Sequence, residues 1–266
     1  MARERLDNVL VSRGLFPTRE KARAAVLAGE VSVASVKASK PGQRVDDSVP
    51  IEVAAAKKYV SRGGLKLEGA LEAFHLDVSG VRAIDVGAST GGFTDCLLKR
   101  GAGSVTAVDV GYGQLAWSLR EDERVTVFER TNIRHAEPEA LGAPFDLAVV
   151  DVSFIGLLVV AGRVIDLLGE KGTLLALVKP QFEVGKGRVG KGGVVRDPLL
   201  HREVLQRVCD GMQELGAAAR GVCVSPIAGP KGNIEFWLWA QKGTSPAEAT
   251  MDVEAIVAEA HEKLGA

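Results

Sequence analysis

Leu6, Val9 and Leu10 fall three and four residues apart before Gly14, and Ala22, Ala25, Val26 and Leu27 repeat that spacing between Thr18 and Gly29. Such spacing lines one face of an α-helix; Thr18 carries a hydroxyl that caps a helix start, and the glycines suit helix ends. Beyond them Val31 and Val33, then Val45, Val49, Ile51 and Val53, follow strand spacing on either side of a Lys40-Pro41-Gly42 turn. Two short helices bury little alone, so the strands supply the surface they pack on. The pattern predicts a small α+β domain over residues 1–56, a linker at 57–60 and a second domain over 61–266.

In the second domain, Leu65, Leu67, Leu71 and Phe74 mark a helix within 60–75. Oily runs of strand length follow at 81–86, 105–109, 125–128, 147–152, 174–178, 222–224 and 234–239, separated by helical stretches at 92–99, through Trp117 and Leu119, through Leu167, and at 198–215. Strands apolar on both faces and alternating with helices predict a Rossmann-like α/β domain with a seven-stranded, mostly parallel sheet. Ligands of such sheets bind beyond the carboxyl ends of the strands. Phe93, Trp117, Trp237 and Trp239 stand in apolar surroundings and are expected in the core.

The chain of 266 residues is 46% hydrophobic and 25% charged, which excludes disordered and fibrous classes. The most apolar stretch, 145–165, is interrupted by Asp151 and Arg163, so no run reaches the roughly 18 residues of a membrane span. The early charges lead into no apolar segment with a cleavage site, so a cytoplasmic protein without a secretory signal is expected. Cys96, Cys209 and Cys223 lie far apart, as do His75, His135, His201 and His261, which predicts buried thiols and no metal site. A net charge of −1 divides into +4 over residues 1–58 and −5 over the rest, so the small domain is the part suited to a polyanion.

Residues 84–93 follow a strand and open a helix with a Gly-rich loop, which by itself serves a dinucleotide, a nucleoside cofactor or a plain turn. Asp85 ahead of Gly87 repels phosphate and suits an ammonium or hydroxyl partner, and Asp109, closing the next strand, is placed to accept from two ribose hydroxyls. Together they favour S-adenosylmethionine over a nicotinamide dinucleotide, with Gly87, Ser89, Thr90, Gly91, Gly92 and Phe93 forming its loop. Thr131 and Asn132, past the third strand, are placed for the adenine; a turn-forming role fits Asn132 nearly as well.

Four more charged residues fall where a parallel sheet converges: Lys66 on the helix before the first strand, Asp151 and Lys179 ending the fourth and fifth, and Glu235 in the last. Singly, each reads as a surface ion-pair residue; buried at strand ends, two amines and two carboxylates neutralise one another. An alcohol is a poor nucleophile, and methylating one requires removal of its proton during attack. A lysine accepts that proton where desolvation or a neighbouring cation favours its neutral form, and Lys66 facing Lys179 would supply the cation.

The segments Arg5-Leu6-Asp7, Thr18-Arg19-Glu20-Lys21-Ala22, Gly29-Glu30-Val31-Ser32-Val33 and Lys40-Pro41 resemble the S-four-type RNA-binding domain, which usually has Asn-Gly where this chain has Ala34-Ser35. The resemblance implies RNA docking through Arg3, Arg5, Arg19, Lys21, Arg23 and Lys40. Lys66, Asp151, Lys179 and Glu235, with the loop from Asp85 to Gly92, resemble the Lys-Asp-Lys-Glu set and cofactor loop of FtsJ-like ribose 2′-O-methyltransferases. Over the whole chain, residues 61–67, 109–115 and 178–187 resemble the TlyA, or haemolysin A-like, family, whose linker usually carries an Arg and a Trp where this chain has Lys57-Lys58-Tyr59-Val60.

That resemblance implies S-adenosylmethionine-dependent methylation of a cytidine 2′-OH in ribosomal RNA of one or both subunits, by a monomer without metal. Ribosomal RNA or ribosomal subunits are then the partner, with Arg62, Lys186, Arg188 and Lys191 as further contacts. The last three belong to the Gly-rich segment 185–193, which either closes over RNA or takes no part. Two rival functions are weighed against the enzyme: a cytolysin, for which no amphipathic, Trp-rich basic helix is found, and an RNA-binding ribosome factor without catalysis.

Overall fold

A computed structural model describes residues 3–54, 58–185, 187–244 and 251–265. The chain divides into two compact units, Met1–Lys57 and Lys58–Ala266.

In the first unit, helix α1 (Leu6–Ser12) and helix α2 (Arg19–Leu27) pack through Leu6, Val9, Leu10, Ala22 and Val26, all nearly inaccessible to solvent. The Thr18 hydroxyl caps α2 by accepting from the Lys21 amide at 3.3 Å. The alternating valines form two small sheets. Strand β1 (Arg3–Arg5), unforeseen in the sequence, pairs antiparallel with β4 (Arg44–Asp46), while β2 (Val31–Val33) pairs with β3 (Val36–Lys37) and β5 (Ile51–Val53). Ala34 and Ser35 join β2 to β3 with φ of 49° and 63°, the left-handed region that Asn and Gly adopt more readily.

The second unit opens with α3 (Gly63–Ala73) and then winds strands and helices about one sheet. The chain continues through β6 (Arg82–Val86), α4 (Gly92–Lys99), β7 (Ser104–Val108), α5 (Trp117–Arg120), β8 (Val125–Phe128), α6 (Pro138–Leu141) and β9 (Phe145–Val150). It ends with α7 (Leu158–Asp166), β10 (Leu168–Val178), α8 (Pro180–Glu183), α9 (Pro198–Glu214), β11 (Ala217–Val224), β12 (Phe236–Lys242) and α10 (Val253–Leu264). The seven strands lie in the order β11-β12-β10-β9-β6-β7-β8; β12 runs antiparallel to both neighbours and the other pairs are parallel. Two apolar cores cover the faces. One centres on Val164, Leu174, Val208 and Phe236, the other on Leu67, Leu97, Val149 and Trp237.

Three details depart from the sequence reading. Trp117 is 72% exposed at the first turn of the short α5, whereas Trp237 and Phe93 are buried as expected and Trp239 is half-buried. Glu235 precedes β12 rather than lying within it. Cys96 and Cys209 are buried, but Cys223 is only half-buried.

Candidate active site

The chain leaves β6 at Val86 and turns at Gly87, whose φ is +88°; a Cβ there would stand 2.4 Å from the Asp151 carbonyl oxygen. Only glycine permits that approach of the β6 and β9 ends, the point at which the sheet order reverses. Gly92 allows a second close approach, since its Cβ would lie 2.2 Å from the Ser61 hydroxyl and 2.8 Å from the Gly64 amide nitrogen. The starts of α3 and α4 are thereby pressed together.

Two cavities, each of about 540 Å³, open around this point and share Gly87, Ser89 and Asp151 in their walls. The first lies beyond β6, β7 and β9 and is lined among others by Asp109, Gln114, Thr131, Asn132 and Phe154. The second is lined by Arg62, Lys66, Thr90, Gly92, Phe93 and the turn 228–230. Their size is that of small-molecule sites.

In the first cavity the Asp109 carboxylate takes backbone N–H groups of Ser89 and Gly111, each at 2.7 Å. These bonds aim it at the opening and leave lone pairs for ribose hydroxyls. Asn132 Oδ1 accepts from the Arg134 amide at 3.1 Å as a turn cap, and the residue also lines the cavity. A carboxylate at Asp109, the amide side chain of Asn132 in the same lining and a backbone cradle at Gly87 fit a nucleoside cofactor such as S-adenosylmethionine.

The expected cofactor loop is divided: Gly87 and Ser89 line both cavities, Thr90, Gly92 and Phe93 only the second, and Asp85 and Gly91 neither. Asp85 is fully buried beneath the loop, accepting from the Thr94 amide at 3.0 Å and its hydroxyl at 2.7 Å. Burial, reinforced by the charges of Asp151 and Asp109 and opposed by the Thr94 bonds, pushes its carboxyl up to about 7. Gly91 faces Leu115 and Leu119, with a φ of +96° that no other residue type adopts readily.

The four charged residues form two ion pairs. Lys66 Nζ lies 2.5 Å from Glu235 Oε2, with the Glu235 side chain fully inaccessible and that of Lys66 12% exposed. Lys179 Nζ pairs with Asp151 Oδ1 and also donates to the Ser153 hydroxyl at 2.8 Å. Gln181 Nε2 approaches Glu235 Oε1 at 3.4 Å, and Gly229 packs so tightly on the Glu235 carboxylate that a Cβ would overlap it. Asp151, the partner of Lys179, lines both cavities, and Lys66, the partner of Glu235, lines the second. Each amine is thus held by its own acid, whereas the sequence suggested one amine facing the other.

Phe154 escaped the sequence reading. Its ring is 91% exposed at the mouth of the first cavity, packs 5.1 Å from the Phe182 ring, and sits on a backbone with φ of 65°. A large apolar side chain held in water at a left-handed residue is costly twice over, a combination that clusters at binding sites. A Phe between a serine and an isoleucine gave no sign of this.

Among the expected RNA contacts, Arg3, Lys21, Arg23, Lys40, Arg62 and Lys191 are exposed and have no acidic partner among the described residues. Arg5 and Arg19 instead hold the buried Asp7 at 2.8 and 3.1 Å, and the Arg5 bond is the main reason that carboxyl lies below its ordinary range. Arg188 makes a two-pronged pair with Glu203 at 2.6 and 2.5 Å. Lys186 lies outside the described residues.

A profile of the FtsJ-like methyltransferase family matches residues 59–242, and one of the S4 domain matches residues 4–51. The 16S/23S rRNA (cytidine-2'-O)-methyltransferase TlyA of Mycobacterium tuberculosis is 48% identical over 254 residues, which cover 95% of each chain. A Bacillus subtilis protein provisionally named as the rRNA methyltransferase YqxC is 48% identical, over 98% of this chain and 95% of its own. The solved structure of a Streptococcus thermophilus protein, provisionally named a hemolysin, superposes with a TM-score of 0.76 at 42% identity, covering 99% of this chain and 97% of that one.

Proposed function

We propose, from the premise that this chain belongs to the FtsJ-like methyltransferase family and to its TlyA branch, that it methylates the ribose 2′-OH of a cytidine in ribosomal RNA, in the cytoplasm, with S-adenosylmethionine as methyl donor. The observation that carries this reading is the meeting of two cavities at Asp151, which holds Lys179, with the Glu235-anchored Lys66 in the wall of the second. When bound in the first cavity, S-adenosylmethionine supplies an electrophilic methyl carbon on a sulfonium. Asp109 would hold its ribose, and Thr131 and Asn132 would border its adenine.

The nucleotide to be methylated occupies the second cavity, with its 2′ oxygen directed at the seam. Lys179 Nζ, once it has released its own proton, would take the proton of that hydroxyl and so free the oxygen to attack the methyl carbon the cofactor would supply. Asp151 and Ser153 fix the direction of that amine, and Lys66, anchored by the buried Glu235, places a positive charge beside the attacking oxygen. The exposed Phe154 ring offers a face for a nucleobase turned out of its stack. Arg3, Lys21, Arg23 and Lys40 of the first unit contact phosphates and so position rather than specify.

The test is transfer of a labelled methyl group to ribosomal subunits from a strain lacking the enzyme, followed by mapping of the modified ribose. Lys179→Ala should slow the reaction by about 10² to 10⁴ while RNA and S-adenosylmethionine still bind. An unchanged rate in that variant would remove Lys179 as the base. Binding without any methyl transfer by the unaltered protein would leave the ribosome-factor reading. No helix among the described residues is long and apolar enough to cross a membrane, and leakage of liposomes by the pure protein would be needed to revive the cytolysin.

A further inference from the structure

The turn 228–230 lines the second cavity, and Asn233, three residues beyond it, is buried with every polar atom of its side chain engaged. Its Oδ1 accepts from the Val195 amide at 3.1 Å, and its Nδ2 donates to the carbonyls of Gly193 and Pro230 at 3.0 and 3.1 Å. One side chain therefore ties the end of the Gly-rich segment to the cavity wall.

Three cations ride on the strands of chain so joined. Lys191 and Arg196 flank Gly193 and Val195, and Lys231 follows Pro230; all three are exposed. Lys231 adopts φ of 60°, its Nζ stands 3.8 Å from where a Cβ on Gly193 would be, and it lines one cavity with Arg196, so its amine lies against the segment that carries Lys191 and Arg196. A left-handed lysine costs on the order of 1 kcal/mol, strain that an ordinary solvated face has no reason to carry. The surroundings sharpen the contrast. Arg188 and Arg207, on the neighbouring surface, are paired with Glu203, whereas Lys191, Arg196 and Lys231 have no acid within ion-pair distance among the described residues.

We propose that Lys191, Arg196 and Lys231 form a phosphate-binding edge that grips the backbone of the single-stranded RNA leading into the second cavity, with Asn233 holding that edge at a fixed distance from the attack point. The inference rests on the rRNA-methyltransferase reading for its substrate. It adds Arg196 and Lys231 to the contact surface, and it assigns Arg188 to the protein's own framework. Uncompensated cations on a braced turn beside a nucleotide-sized cavity are complementary to phosphates, each of which releases a counterion when contacted.

The full-length protein carrying Lys191→Gln, Arg196→Gln and Lys231→Gln together is compared with the unaltered chain. Two probes are used: a single-stranded oligocytidylate, and ribosomal subunits from a strain lacking the enzyme. About 0.7 of a unit of log–log salt slope per phosphate predicts a slope shallower by about 2 and Kd about 100-fold weaker at 0.1 M salt. S-adenosylmethionine affinity should be kept. Equal Kd and equal salt slope in the triple variant would overturn the proposal. If the unaltered protein failed to methylate subunits, the proposed function would fall, while the salt slopes on oligocytidylate would still decide whether the edge binds phosphate.

Discussion

Asp85 shows what residue order conceals. Its place ahead of a Gly-rich loop suggested an acid facing the ligand, yet it lies inside β6, where side-chain direction is set by the alternation of the strand, and it points beneath α4 to Thr94. Asp109 sits one residue past β7, free of that alternation, and reaches the cavity. Asp151, Lys179 and Glu235 stood out in the sequence for a related reason: charges at the borders of oily strands have few places to go, and Lys66, on α3, packs against Glu235. Their pairing was not legible, because it depends on which rotamers the packing admits. The buried acid carries a pH signature. Its folded value of about 7 lies above the ordinary value of 3.8, so its contribution to stability is complete below about pH 4 and is lost as pH rises through 7. Asp85→Asn removes that dependence. Between pH 4 and pH 8 the melting temperature of the variant should gain roughly 10 °C on that of the unaltered protein, whatever constant offset the amide introduces; parallel melting curves across that range would contradict the assignment.

At the scale of elements, the parallel strands were readable because both faces are covered and their runs are apolar throughout, as in Ala148, Val149 and Val150. The antiparallel setting of β12 was not, since pairing direction leaves no mark on composition. Helix α10 went unread although Val253, Val257 and Ala260 repeat at helical spacing and are buried. It is held by a contact that sequence separation hides: His201 Nδ1 on α9 faces His261 Nε2 on α10 at 3.0 Å, with His201 edge-on to Phe236. Burial first, then the neighbouring His261, lowers the His201 imidazole to about 4. The sign is opposite to that of Asp85. A folded value below the ordinary 6.5 means that the contribution is intact above pH 6.5 and is lost as pH falls towards 4. Hydrogen exchange should therefore show α10 opening more readily at pH 5 than at pH 7.5, and His201→Phe, which keeps the ring volume, should abolish that difference. Protection in α10 that does not change with pH in the unaltered protein would disprove the role of the pair.

For the whole molecule, the question is where one folding unit ends and the next begins. The composition shift near residue 57 located the change, but it could not say which unit owns the connecting residues. The structure ties Lys58, Tyr59 and Val60 to the second unit. Tyr59 is 4% exposed and donates to Glu68 at 2.8 Å, the Val60 amide donates to Asp95 at 2.8 Å, and Lys99 donates to the Lys58 carbonyl at 2.6 Å. Gly64 is glycine because a Cβ would lie 2.3 Å from the Tyr59 ring. The start of α3, which bears Arg62 and Lys66, therefore rests on a residue that a linker assignment would discard. The second unit has its own two cores and every residue lining both cavities, so a chain of residues 58–266 should fold, bind S-adenosylmethionine within about twofold of the full protein, and lose most RNA affinity together with the phosphate contacts of the first unit. Beginning instead at residue 61 removes a buried aromatic side chain and should cost about 3–5 kcal/mol. Urea unfolding separates the cases: the shorter chain should unfold at clearly lower denaturant, with Lys66 no longer held at the seam and methyl transfer lost, whereas equal midpoints for the two truncations would show that Tyr59 is a passenger on the second unit and not part of its foundation.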